Sequence, residues 1–170
     1  MLFRSLTTQE LPADEPEREY CGTCRRCIDV CPTRAIVAPY RLDARLCISY
    51  LTIELKGSIP VELRPLIGDR VFGCDDCLEV CPWNRFARQS QFRPREVPSL
   101  VEFLSWDEAR FKTFFAGTPI YRLKRRGFLR NVCVALGNIG DKSALPALQK
   151  ALDDPEPLVR EHAAWAVSRL

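Results

Sequence analysis

Nine cysteines stand in this chain of 170 residues, and eight of them fall between positions 21 and 86. Cys21, Cys24, Cys27 and Cys31 are spaced by two, two and three residues and end in Pro32. That is the bacterial ferredoxin run, in which three closely spaced thiolates reach three irons of one 4Fe-4S cluster and the fourth cysteine serves a second cluster. Proline cannot continue a helix, so a short helix carrying Cys27 and Cys31 is predicted to end at Pro32. Its two thiols then sit one turn apart and reach in different directions.

Cys74, Cys77 and Cys81, followed by Pro82, repeat the run without its leading member, because Val71 stands three residues before Cys74. Two clusters need eight thiolates and the two runs supply seven, leaving Cys47 and Cys133. Cys133 lies in an apolar helical stretch where a small buried thiol packs well, whereas Cys47 lies between the runs and is assigned as the eighth ligand. Crossing then gives Cys21, Cys24, Cys27 and Cys81 to one cluster, and Cys31, Cys47, Cys74 and Cys77 to the other. Structural zinc also uses paired Cys-x2-Cys elements, but it leaves the three-cysteine run and both Cys-Pro endings unexplained.

These ligands must be held by a chain whose 46% hydrophobic content suits a globular protein. No stretch approaches the apolar length of a membrane span, and the first 20 residues lack a secretory h-region, so a cytoplasmic monomer is expected. Reduced thiols in odd number also fit that compartment better than a disulfide framework. Residues 1–20 read as an extended connector, with Pro12 and Pro16 in an acidic run. Residues 21–90, with Gly57, Pro60, Pro65, Gly68 and Gly73, admit only short helices and turns held by metal. Residues 91–170 read as helix after a polar linker over 87–99. A Ser105/Glu108 capping box is expected there, with capping side chains at Thr118 and Asp154 before Pro119 and Pro155. The fold class is thus mostly α: a two-cluster ferredoxin-like module followed by a helical region.

That helical region repeats weakly, Val132 to Leu136 matching Ala163 to Val167 at an offset of 31 residues. Small and aliphatic residues at helical spacing suit stacked helix pairs of the HEAT type, whose open face needs a neighbour to cover it. Charge divides along the chain: residues 1–90 hold 12 Lys/Arg against 13 Asp/Glu, and residues 91–170 hold 13 against 9. Tyr121, Arg122, Lys124, Arg125, Arg126 and Arg130 crowd into ten residues with Phe128, enough to neutralise several RNA phosphates and offer a stacking surface. The alternative is a solvated helix face with Phe128 and Leu129 in the core. His162 is assigned no chemistry, and Trp83 is expected to shield a cluster from water.

Several segments resemble epoxyqueuosine reductase: Cys47-Ile-Ser-Tyr-Leu-Thr-Ile-Glu-Leu-Lys-Gly-Ser-Ile-Pro60, Gly73-Cys-Asp-Asp-Cys77, Cys81-Pro-Trp-Asn84, and Arg126-Gly-Phe-Leu-Arg-Asn131 with Ala135-Leu-Gly-Asn138. That family joins a ferredoxin-like module and HEAT-like repeats to an N-terminal cobalamin-binding domain. The resemblance implies reduction of epoxyqueuosine to queuosine in tRNA, the last step of queuosine biosynthesis, by cobalamin fed with electrons through two 4Fe-4S clusters. It implies tRNA with a queuosine-type anticodon and an upstream electron donor as partners. It also places Ser49, Cys74 and Asp75 toward the corrinoid and Lys56 toward an RNA phosphate; for Asp75 and Asp76, helix capping is the alternative. The cobalamin domain and its acidic proton donor are expected upstream of Leu11, so the chain is expected to be a portion inactive alone. A gene fragment, a split gene with a separate cobalamin-binding chain, and a retained remnant would each give it, the first being favoured. Two other functions compete: a free-standing ferredoxin-type carrier docking a protein partner, and a helical interaction module with structural clusters.

Overall fold

The structure is a computed structural model describing residues 8–86 and 96–170. Part of the expected connector (1–7) and most of the expected linker (87–95, with Pro94 and the 90/91 boundary) lie outside the described residues. In the cysteine-rich part, helix α1 (Arg26–Val30) stops at Cys31, whose backbone is extended at φ −64° and ψ 113°, as a following proline requires. An antiparallel ribbon then appears where only helices and turns were expected. Strand β1 (Ile36–Ala38) pairs with β2 (Arg41–Leu42), Ile36 facing Leu42. The β-branched Ile36 and Val37 favour the pleat, and Tyr40, at φ +59°, reverses the chain.

A 3-10 turn (Ala44–Leu46), capped by the Asp43 carboxylate accepting from Arg45 N–H at 3.1 Å, delivers Cys47. One π-helical turn (Tyr50–Glu54) follows, closed by Leu55 N–H donating to Tyr50 O at 3.0 Å. Helices α2 (Arg64–Ile67) and α3 (Asp76–Glu79) and a 3-10 turn (Pro82–Phe86) complete this part.

The second part comprises α4 (Leu100–Phe103), α5 (Glu108–Phe115), α6 (Lys124–Ile139), α7 (Leu145–Lys150) and α8 (Pro157–Val167). Asp107, rather than the expected Ser105, caps α5 by accepting from Arg110 N–H at 2.7 Å. The Ser105 hydroxyl instead donates to Glu102 O, and a carboxylate in the capping position adds a favourable charge at the helix N-terminus. Thr118 likewise does not cap, its hydroxyl donating to Phe115 O at 2.8 Å, whereas Asp154 accepts from Glu156 N–H at 2.9 Å. Phe103, Trp106, Phe111, Phe115 and Phe128 form an aromatic core with ring pairs as close as 4.7 Å. Helices α6 and α8 pack closely because position 137 is glycine; a Cβ there would lie 2.8 Å from Trp165 Cζ3 and 2.9 Å from Ala166 Cα.

What joins the two parts is a second core. Ile48, Leu51, Ile59, Leu63 and Ile67 pack on Val134 and Trp165, so the Cys47–Ile67 segment covers the face the helices leave open. Polar side chains of α6 reinforce it. Arg130 donates to Leu51 O (2.8 Å), Leu55 O (2.8 Å) and Gly57 O (2.6 Å). Asn131 donates to Thr52 O and Val71 O, and Asn138 to Arg64 O and Gly68 O. Two residues read from sequence as phosphate ligands are therefore corrected. Arg130 is fully buried on carbonyls, and Arg125 is buried between Trp106 O and the Asp154 carboxylate. A guanidinium whose donors are spent inside the protein does not reach an RNA backbone.

His162, also buried, has a structural task. Ile59 N–H donates to its Nε2 at 3.2 Å, which leaves the proton on Nδ1, donated to Leu158 O at 2.8 Å. Burial, aided by the Arg64 and Arg130 cations against the Leu158 carbonyl and Glu161, lowers its pKa to about 4. The unfolded imidazole takes up its second proton near pH 6.5, whereas the folded one, whose Nε2 accepts from Ile59, resists it until about pH 4, so the contribution is complete above pH 6.5 and is lost as pH falls toward 4. It amounts to about 3 kcal/mol. Denaturant unfolding at neutral pH and near pH 4 is expected to show that loss in the wild type and much less of it in His162→Gln; equal acid sensitivity would remove His162 as its source.

Candidate metal centres and a basic cavity

Helices α1 and α3 lie side by side, and each carries one cysteine within it and one at its end: Cys27 with Cys31, and Cys77 with Cys81. This pairing sorts the thiols into two groups. A cavity of about 230 Å³ is lined by Cys21, Cys24, Cys27 and Cys81, with Tyr20 and Trp83 at its side. A second, of about 280 Å³, is lined by Cys31, Cys47, Cys74 and Cys77 between the ribbon and Ile48. Every cysteine is a free thiol. The thiols ring two separate spaces, which is the arrangement two clusters need.

The surroundings differ. In the second cavity Ala35 N–H donates to Cys31 Sγ at 3.3 Å, and Thr33 Oγ1 lies 3.7 Å from the same sulfur. Burial pushes the Cys31 thiol up, but these bonds outweigh it and the net shift is downward. Burial raises Cys74, with the Asp76 carboxylate adding, and it raises Cys77, with the nearby Cys47, Cys27 and Cys31 adding. Iron bound there would offset that cost, because a ligating thiol is deprotonated outright. Arg70 donates to both Asp76 oxygens at 2.8 Å, holding that carboxyl below its usual range. At the first cavity Cys21 and Cys24 are exposed, and Trp83 lines it while remaining half exposed.

Ser49 and Cys74 are brought together. Cys74 N–H donates to Ser49 Oγ at 3.0 Å and the hydroxyl donates back to Cys74 O at 3.2 Å, so Ser49 fixes the backbone of a candidate ligand. Thr52 does the same one turn on, accepting from Gly73 N–H at 3.0 Å and donating to Ile48 O at 2.7 Å. Asp75 is exposed beside them and its side chain caps no helix, whereas Asp76 is engaged by Arg70.

Four of the expected RNA-binding residues line one cavity of about 260 Å³: Lys56, Arg122, Lys124 and Arg126, over a floor of Ile53, Leu55, Leu123 and Gly127. Tyr121 is exposed on the same 3-10 turn (Pro119–Leu123) as Arg122. Sequence reasoning passed over several residues that build these sites. Arg64 is buried on Ile59 O, Ser58 and Glu161, and Glu54 pairs with Arg122. For Asn131 and Asn138 a signal existed: with Val134 they recur at helical spacing on one face of α6.

The family model for a 4Fe-4S double cluster binding domain matches residues 20–84, and that for HEAT repeats matches residues 126–170. The class of protein is therefore an iron–sulfur module joined to helical repeats. Over 94% of its length the chain is similar to epoxyqueuosine reductases: 53% identical over 167 residues to that of Pseudomonas aeruginosa, covering 46% of it, and 48% over 166 residues to that of Escherichia coli, covering 44%. Among solved structures, an epoxyqueuosine reductase with a tRNA-Tyr epoxyqueuosine-modified stem loop matches at a TM-score of 0.83 and 37% identity, over 93% of this chain and 44% of that one. The enzyme from Streptococcus thermophilus matches at 0.78 and 30%, over 95% of this chain and 44% of that one. The similarity to epoxyqueuosine reductases takes in both the iron–sulfur module and the helical repeats of this chain, which spans a little under half the length of the curated relatives it matches. Among the described residues no helix is long and apolar enough to cross a membrane.

Proposed function

We propose that this chain is the electron-relay and tRNA-binding portion of an epoxyqueuosine reductase working in the cytoplasm. The observation that carries the reading is the sorting of eight thiols into two groups of four around separate cavities, in a chain about half identical to epoxyqueuosine reductases. Cys21, Cys24, Cys27 and Cys81 hold one 4Fe-4S cluster, and Cys31, Cys47, Cys74 and Cys77 hold the other. Clusters held there would supply one-electron transfer at low potential, linking an upstream donor to a cobalamin carried by the remainder of the enzyme or by a separate chain. On the side of this chain facing that cofactor, Ser49 positions the Cys74 backbone and Asp75 presents a carboxylate. Lys56, Tyr121, Arg122, Lys124 and Arg126 receive the tRNA bearing the epoxyqueuosine base, whose reduction to queuosine ends queuosine biosynthesis. A free-standing carrier has no use for a Cys47–Ile67 segment anchored on a helix that also presents Lys124 and Arg126.

Anaerobic reconstitution is expected to give about eight irons and eight sulfides per chain, the content of two 4Fe-4S clusters. Dithionite should bleach them reversibly, and a fluorescent queuosine-type anticodon stem loop should bind with strong salt dependence. A colourless protein holding zinc without sulfide would overturn the relay, and absent stem-loop binding at low salt would overturn the RNA role.

A further inference from the structure

One of the four cations of the basic cavity already has an anionic partner. Arg122 Nη2 donates to both carboxylate oxygens of Glu54, at 2.7 and 2.8 Å. Lys56, Lys124 and Arg126 have no carboxylate within ion-pair distance among the described residues. The pair joins two fixed elements. Glu54 closes the π-helical turn whose Leu51 and Leu55 carbonyls are held by Arg130, and Arg122 sits on the 3-10 turn leading into α6. Both side chains are about half exposed, so their attraction is screened and a stronger anion can displace the Glu54 carboxylate from Arg122.

Charge-assisted bonds from a guanidinium to the oxygens of one anion are also how arginine takes a phosphate. We propose that Glu54 is an internal stand-in for an RNA backbone phosphate. It holds Arg122 oriented in the free protein and yields it when a phosphodiester enters the cavity, and so limits both the affinity and the salt dependence of RNA binding. This rests on the tRNA-binding reading above. An isolated anion gains little, since it only replaces one carboxylate on one arginine. A polyanion with neighbouring phosphates engages Lys56, Lys124 and Arg126 in the same step and overcomes the competition. The device favours nucleic acid over small anions.

The test is a double-mutant cycle on the full chain with reconstituted clusters, using a fluorescent anticodon stem loop over a range of salt. Glu54→Gln is expected to tighten binding about two- to fivefold, the size of one exposed ion pair, and to steepen the log–log salt slope by a little under one. In the Arg122→Gln background the same change is expected to shrink to the effect of Glu62→Gln, a carboxylate without an ion-pair partner among the described residues that controls for net charge. Unchanged or weaker binding by Glu54→Gln would overturn the stand-in role while the RNA-binding reading stands, as would an effect persisting undiminished without Arg122. If the wild-type chain binds no stem loop at low salt, both fall together.

Discussion

Cys47→Ala is expected to cost the protein one whole cluster, lowering iron and sulfide from about eight to about four each per chain. Three thiols would remain around the second cavity, and the carboxylate that also lines it, Asp76, is held by Arg70. The cluster on Cys21, Cys24, Cys27 and Cys81 keeps every ligand and should retain its spectrum. Cys81→Ala, although adjacent in sequence to the Cys74–Cys77 pair, should spare the cluster of the second cavity and remove that of the first. Cys133→Ala is the control. Burial pushes the Cys133 thiol up to about 12, which makes it a poor thiolate, and it lies within the aromatic core. Full iron content in Cys47→Ala, or loss of half the iron in Cys133→Ala, would assign the eighth ligand elsewhere.

The cluster module is legible in sequence because its information is short-range. Two or three residues between thiols, and a proline after the last, leave few backbone paths, and the thiol sorting needs only the order of two short helices. The ribbon at Ile36–Leu42 escaped because two-stranded pieces carry little periodicity. The basic run at Tyr121–Arg130 was misread in part for a different reason. Charge is assigned to the surface by composition, yet a helix turns 100° per residue, and a ten-residue run must face several directions. Arg122, Lys124 and Arg126 emerge at the cavity, Arg125 turns toward Asp154, and Arg130 falls on the stripe that continues through Val134 and Asn138. The clue was the run after it: Arg130 and Asn131 directly precede the apolar Val132–Leu136, where a solvated side chain is out of place.

That stripe makes the two halves one mechanical unit. The Cys47–Ile67 segment carries a candidate cluster ligand at one end, Glu54 and Lys56 in its middle, and five core residues packed toward α6. On the RNA-binding reading proposed above, any movement of α6 would therefore reach the second cavity through carbonyl bonds rather than through a flexible linker. A ferredoxin module tethered to helices by a linker alone would have no such connection.

The residue on which this depends most is Arg130. Burial lowers its pKa to about 10, so it remains a cation at neutral pH, and its bonds to the Leu51, Leu55 and Gly57 carbonyls are charge-assisted. Arg130→Met keeps the length and apolar bulk but strands three carbonyls in a dry site, at a cost of about 3–5 kcal/mol. For a chain of this size that lowers the thermal midpoint by roughly 10–15 °C. Arg130→Lys should fall between, because an ammonium lacks the planar fork that reaches all three carbonyls. Arg126→Gln, four residues earlier on the same helix and exposed, should change stability by less than about 0.5 kcal/mol while weakening RNA binding. Circular dichroism of the reconstituted proteins supplies the midpoints, and cluster spectra followed on warming supply the order of loss. In Arg130→Met the cluster of Cys31, Cys47, Cys74 and Cys77 should go first, since its Cys47 arm is the one that loses its anchor. An unchanged midpoint, or earlier loss of the Cys21, Cys24, Cys27 and Cys81 cluster, would show that the apolar contacts to Val134 and Trp165 hold that arm without the arginine.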